Sequence, residues 1–531
     1  MTALAAPPAS QASPVRPVKP ARRAGRPVVL LVVSVLVAAL LALPLVFLLV
    51  EAHGSGLTQV RELIWRPLTG QLLWNTVRLT VVVTVLCAIV GTAAAYCVER
   101  TDLPGKRIWA VLVVVPLAIP DFVVSFGWNS IWTWVTGFKG AVLVMTLAVY
   151  PLVYLPVAAS FRSADPGQEE VARSLGASRA RTFIKITLGQ AKGAVAGGCV
   201  LVALVILAEY GAFEILGFQT FTTEIYREFH SYSFAASCAL SVVLVLLGLV
   251  VLTGEAFTQR RSVRITRSGA QRRHPPKRLG KARWPVLAAF TALTGLALGV
   301  PIAVTIYWIV DSIPPALAPG SNVSLLAAAG HTALYSAAAA ALATVLAFPV
   351  ALLAVRYPGR MTMFLERSTY LIMAMPGVVI AFAILYFTER YANSYGDGTS
   401  SLLIVCYAIM FFPLALVGVK ASLTRAPVSL EEVARSLGQP RLAVLMRVTL
   451  RLTAPGLAAA FCLVFLNAVT ELTATLLLIP PGAQTLATQF WAYETNFSYS
   501  QAAPFALVMI VVAAVPSYVL GRFFDRGRAS T

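Results

Sequence analysis

The chain has 531 residues, of which 58% are hydrophobic and only 12% charged, whereas a soluble domain carries about 25% charged residues; a water-soluble protein built on one large core is excluded. The formal charge of +20 would suit a nucleic-acid partner, but the basic residues are confined to segments between long apolar runs. Those runs do not alternate polar and apolar residues as barrel strands do, so helices of about 20 apolar residues crossing a bilayer are expected.

Residues 1–27 are Pro/Ala-rich and basic and read as a disordered tail leading into an uncleaved anchor. Spans are expected near 28–50, 72–96, 108–128, 140–160, 193–213 and 233–257, then near 284–310, 328–354, 368–388, 401–419, 453–479 and 502–521. Most of the 42 Lys and Arg fall in 1–27, 97–107, 161–192, 258–283, 355–367, 420–452 and 522–531. The positive-inside rule makes that side the cytoplasm and puts both termini there. The fold class is therefore an all-α integral membrane protein, multi-pass in the cytoplasmic membrane, with twelve transmembrane helices. Topology and the surrounding membrane lipid account for the basic loops, and no nucleic-acid partner is called for.

In the third span Asp121 follows Ile119-Pro120. In the loop after the fourth stands Glu-Glu-Val-Ala-Arg-Ser-Leu-Gly, 169–176, which returns letter for letter at 431–438, 262 residues on. Asn75-Thr76 is matched in the same way by His331-Thr332, Ile119-Pro120 by Met375-Pro376, Glu209 by Glu471, and Gln219-Thr220 by Gln484-Thr485. The chain thus divides into a first half, 28–257, a basic linker, 258–283, a second half, 284–521, and a short tail, 522–531. Six spans per half give two parallel repeats, with both octets on the cytoplasmic face and a pathway between the halves.

Each octet should form a short helix. Asp165-Pro166 and Ser429 with Glu432 are helix-start patterns. Gly176 and Gly438 should end the helices, and Ser178 and Pro440 should open the next ones.

Ionisable residues inside spans are candidates for a pathway: Asp121, whose counterpart is Gly377, and the paired Glu209 and Glu471, with Tyr210 and Glu214 following. Glu224 and Glu228 continue this oxygen-rich stretch, interleaved with Tyr226 and Tyr232. Facing carboxylates could share a cation, which makes Glu209 and Glu471 the metal candidates; the plainer alternative is that they cap helix backbones. The six cysteines lack CxxC spacing and read as buried thiols, and the four histidines are scattered. No GxxxxGK[ST] phosphate loop occurs.

The octets resemble the signature loop of binding-protein-dependent ABC importer permeases: Glu-Ala-Ala, three residues, Gly, nine residues, then Ile-x-Leu-Pro. Glu170-Val171-Ala172, Gly176 and Ile186-Thr187-Leu188 match it, as do Glu432-Val433-Ala434, Gly438 and Val448-Thr449-Leu450; Gly189 and Arg451 replace the closing Pro. The resemblance implies a type I ABC importer permease fold. It also implies that each loop is a coupling helix docked on an ATP-hydrolysing subunit through Glu169, Glu170, Ala172, Leu175 and Gly176, and through Glu431, Glu432, Ala434, Leu437 and Gly438.

The expected partners are an ATP-binding cassette homodimer, which would hold ATP and Mg, and an extracytoplasmic solute-binding protein; no cofactor or enzymatic site is expected on this chain. Phe-Thr-Thr-Glu-Ile-Tyr-Arg-Glu-Phe at 221–229, 114–128 and 471–478 resemble ferric-iron permeases, so iron(III) is the expected cargo. Thiamine, polyamine, sulfate and phosphonate permeases share the architecture, and a twelve-helix secondary transporter is the reading from another class.

Overall fold

The computed structural model describes residues 28–54, 57–164, 166–231, 233–260, 277–311, 324–391 and 400–529. The tail 1–27, Asp165, Tyr232 and most of the linker lie outside the described residues. Those described are almost wholly helical. Eight helices are long and apolar enough to cross a membrane, and eleven spans result when each of three sharply bent helix pairs counts as one. The helix Tyr499–Ala529 adds a shorter apolar stretch, Tyr499–Ala514.

The bends depart from the straight spans expected. Lys106–Ala118 meets Asp121–Asn129 at 92°, and Arg360–Ala374 meets Gly377–Tyr391 at 102°. Both breaks stand at the matched Ile119-Pro120 and Met375-Pro376. Proline pushes the preceding residue out of helical geometry, and Ile119 and Met375 are extended (ψ 125° and 116°). The fifth span of each half also stops early, at Ala208 and Val469, not at 213 and 479. The chain leaves the helix at the paired glutamates: Glu209 itself is extended, and Glu471 lies between Val469 and the short helix Thr473–Leu478.

Two apolar cores form, and neither is confined to one half of the sequence. The core centred on the first half takes in Phe290, Leu298, Phe490 and Phe505; the other, centred on the second half, takes in Val37, Leu41 and Leu48. The first span of each half is an arm laid across the other half. Helix Val28–Gly54 packs on Leu325–Arg356 and Gly377–Tyr391, with Phe47 against Tyr386 and Phe387 at 5.7 and 5.6 Å. Helix Val300–Asp311 packs on Asp121–Asn129 and Tyr499–Ala529. There Trp308 donates to Ser130 Oγ at 3.0 Å, and Pro301 fits against Gly127 so closely that a Cβ would lie 2.7 Å from its Cα. Small residues allow such approach between apolar helices, where van der Waals packing replaces the hydrophobic effect.

Candidate functional site

The two octets fold alike. Helices Pro166–Ser174 and Val428–Ser436 end at Gly176 and Gly438, both at φ +81°, a conformation that only glycine adopts without steric cost. In each copy the glycine N–H reaches the arginine carbonyl three back, Arg173 at 2.9 Å or Arg435 at 3.0 Å. The next N–H reaches Ala172 or Ala434, at 3.0 and 3.1 Å. This is the paired C-terminal motif that satisfies orphan helix carbonyls. Ser178 Oγ then accepts from the Arg181 N–H at 3.3 Å, as its capping role requires.

One detail differs from expectation: Ser429 is not a cap; the helix begins at Val428, with Pro427 at the cap position and no capping side chain. Of the two glutamates in each octet, the first is the one that is held. Glu169 and Glu431 are each only 4% exposed, while Glu170 and Glu432 face outward.

The seat of each inward glutamate is the same. Arg100, last residue of helix Pro67–Arg100, donates to Glu169 at 3.1 Å, and Thr187 Oγ1 donates to the same oxygen at 2.8 Å. Arg356, last residue of helix Leu325–Arg356, donates to Glu431 at 2.8 and 3.2 Å, and Thr449 at 3.2 Å. Thr187 and Thr449 each close a single π-helical turn, Phe183–Thr187 and Leu445–Thr449; such turns insert an extra residue into the helical register. Burying charge is costly unless it is paired and hydrogen-bonded, and both carboxylates are. Leu175 and Leu437, by contrast, are 81% and 76% exposed, and Val171 and Val433 are exposed beside them. Each loop therefore presents a rigid protrusion, anchored by its glutamate and tipped with uncovered apolar side chains.

Sequence reasoning missed Arg100, Arg356, Thr187 and Thr449 as partners. The signal was present: the arginines are spaced 256 residues apart, like the other matched pairs of their spans.

On the opposite face the matched pairs found in sequence bond to one another. Asn75 donates to the Gln219 carbonyl at 3.1 Å, and Thr76 Oγ1 accepts from Phe221 N–H at 3.4 Å. His331 Nδ1 lies 3.0 Å from the Gln484 carbonyl, and Thr332 Oγ1 accepts from Leu486 N–H at 2.9 Å. Helices Phe221–His230 and Leu486–Thr495 are pinned at equivalent starts.

Glu209 and Glu471 also do equivalent work. Each carboxylate accepts the N–H three residues on, from Ala212 at 2.7 Å and Ala474 at 3.0 Å, and each carbonyl accepts a threonine hydroxyl, from Thr222 at 2.5 Å and Thr475 at 2.6 Å. They hold the chain as it turns from span to short helix, the capping role weighed above.

They also sit where the halves meet. A Cβ on Gly211 would touch Leu472 and Phe122, and one on Gly377 would come 3.2 Å from Glu471 Oε1. Asp121 and Glu471 are both within electrostatic reach of Glu209. A cavity of about 10 Å³, room for little more than one water, lies beside Glu471 and is lined by Tyr335, Ser336 and Tyr407 among others. Tyr210 is buried between Tyr226 and Trp491, with ring centroids at 4.5 and 5.6 Å, and so bridges the halves. Glu214 is exposed and interacts with Arg227 and Glu224 instead. Among the described residues no three His, Cys, Asp or Glu side chains converge as a metal site, the metal candidates Glu209 and Glu471 included.

The sequence matches the family described as "Binding-protein-dependent transport system inner membrane component" over residues 12–264 and 343–529. It is 35% identical to the Fe(3+)-transport system permease protein FbpB 2 of Haemophilus influenzae, over 92% of this chain and 97% of that protein. Identity to the ferric transport system permease protein FbpB of Actinobacillus pleuropneumoniae is 23%, over 91% and 76%. Identity to the molybdate/tungstate transport system permease protein WtpB of Pyrococcus furiosus is 30%, over 40% of this chain and 87% of that protein.

Proposed function

The chain belongs to the family of binding-protein-dependent transport system inner membrane components, and we propose that it is the fused, two-half permease of an importer for iron(III). It is a multi-pass membrane protein and the permease component of such a system. We further infer twelve spans arranged as two parallel sets of six, 28–257 and 284–521, with both termini in the cytoplasm. The coupling loops then meet two copies of a separate ATPase chain, which holds ATP and Mg; a solute-binding protein delivers cargo to the outer face.

One observation carries this reading: the mirrored Arg–Glu–Thr seats beneath Glu169 and Glu431. A protruding helix transmits force only if its base is fixed, and here each base is tied to the cytoplasmic end of a long span and to the start of the span that ends at Glu209 or Glu471. Closure of the ATPase pair would draw the two loops together, and the tilt would reach the paired glutamates where the halves meet. Carboxylates and tyrosines supply the hard oxygen groups that a highly charged cation prefers, met in transit and not as a resident site. Iron rests on the ferric relatives and on this oxygen-rich stretch.

Uptake of labelled iron(III) in cells with and without the gene tests the cargo, with thiamine and putrescine followed in parallel. Loss of iron uptake alone supports the proposal; loss of another cargo alone removes the iron assignment and leaves the permease. Purification with no accompanying ATPase would remove the partner reading and favour a secondary transporter.

A further inference from the structure

The two coupling helices share one octet, 169–176 and 431–438, but carry different cations on the outer oxygen of its first glutamate. In the second half Arg435, one turn along the same helix, lies 3.5 Å from Glu431 Oε2. In the first half Glu169 Oε2 faces Lys277 at 3.7 Å, and Arg173, the counterpart of Arg435, makes no ion pair among the described residues.

Lys277 is held there by its backbone. It forms a parallel bridge with Thr101; its N–H reaches the Arg100 carbonyl at 2.9 Å, and its carbonyl accepts from Asp102 N–H at 3.1 Å. Asp102 Oδ1 in turn accepts from Leu279 N–H at 2.8 Å. The side chain donates to Tyr96 Oη at 3.2 Å, and the Tyr96 ring packs on Phe183 of the coupling loop at 5.0 Å. The inner end of the linker is thus strapped to the tip of the second span and to the glutamate of the first coupling helix.

We propose that Lys277 is a positioning residue for the first coupling helix: by occupying the outer oxygen of Glu169 it leaves the Arg173 guanidinium to an acidic group of the ATPase, so that two copies of one octet present different charges to their partner. Five donors in a planar fork suit a carboxylate, and Arg173 offers them from an exposed position. Arg435 is 47% exposed but already committed to Glu431. The inference rests on the ATPase-partner reading above.

The test uses the full chain with its ATPase, and measures cargo moved per ATP hydrolysed. Lys277→Met should lower that ratio several-fold, Lys277→Arg should keep it, and Arg173→Ala should cost more than Arg435→Ala. In the Lys277→Met background Arg173→Ala should add little, because Arg173 is then drawn to Glu169. Hydrogen exchange supplies a readout that needs no transport: Lys277→Met should speed exchange in 166–176 and leave 428–438 unchanged. Equal ratios for wild type and Lys277→Met, equal losses for Arg173→Ala and Arg435→Ala, or full additivity would each overturn the proposal. A wild-type chain that couples normally while Lys277→Met changes nothing refutes this inference alone; a wild type with no ATPase partner removes the transport reading as well.

Discussion

The octet loops and the membrane-buried parts of the two halves have kept different amounts of their common pattern. In these loops the octets are identical, their glycines share φ +81°, and Glu169 and Glu431 rest on the same arginine and threonine types. Where the halves meet, Asp121 in one stands against Gly377 in the other, and the cavity beside Glu471 has Tyr335 and Ser336 where the first half has Leu79 and Thr80. On the proposed reading, a loop that must fit a partner surface twice is constrained twice, whereas a single path on the axis between halves has only one occupant to satisfy, and its two walls are free to differ.

The largest expected effect is at the shared seats. Arg356→Ala would leave Glu431 a buried carboxylate without its main partner, and breaking such a pair costs about 3–5 kcal/mol; Arg100→Ala should match it. Thermal unfolding of the purified protein and retention of the ATPase both read this, and a loss in one half only would break the equivalence of the loops.

Next is the face opposite the octets, where Glu494 lies in the pinned helix Leu486–Thr495 and is 8% exposed. Burial pushes its carboxyl up to about 7. The folded state therefore binds this proton more tightly than the unfolded chain, and stability falls as pH rises from the ordinary carboxylate range to about 7. At about 1.4 kcal/mol per pKa unit the bound on this loss is roughly 3 kcal/mol. Glu494→Gln should flatten the dependence of melting temperature on pH between 5 and 8; an unchanged slope would mean that Glu494 stays ionised.

The walls of the path come third. If each glutamate contributes one charge-assisted contact, worth about 1.5–3 kcal/mol, Glu209→Gln or Glu471→Gln should lower iron uptake roughly tenfold or more. Asp121→Asn should cost less, since its counterpart is Gly377; equal losses at all three would make the path more symmetric than the sequence. Gly438→Ala or Gly176→Ala forces a side chain into left-handed geometry at about 1–2 kcal/mol. Gly→Pro at either position cannot adopt that φ and loses the N–H bond to Arg435 or Arg173, so transport per ATP should collapse while membrane insertion is kept. The smallest effect is at Arg162, paired with Glu99 at 2.8 Å but 45% exposed; Arg162→Ala should change stability by under about 1 kcal/mol.

Much of this was legible without coordinates, because it rests on local rules. The expected span positions broadly coincide with the helices found, the glycines end the octet helices, and the matched pairs Asn75-Thr76 with Gln219-Thr220 mark real contacts. The 92° and 102° bends at Pro120 and Pro376 could have been read from the proline rule, yet a 20-residue window averages over them.

Sequence by itself determined the membrane class, the repeated octet and the glycine ends of its two helices, since hydropathy, identity and left-handed glycine are properties of short segments. Which of two adjacent glutamates turns inward, which arginine meets it, and that each first span crosses to the other half were decided only by tertiary structure. Neighbouring residues on a helix point about 100° apart, so the choice between Glu169 and Glu170 belongs to whatever lies beneath the helix. Here that is the ends of spans roughly 70 residues away in the chain, brought close by packing and by nothing local.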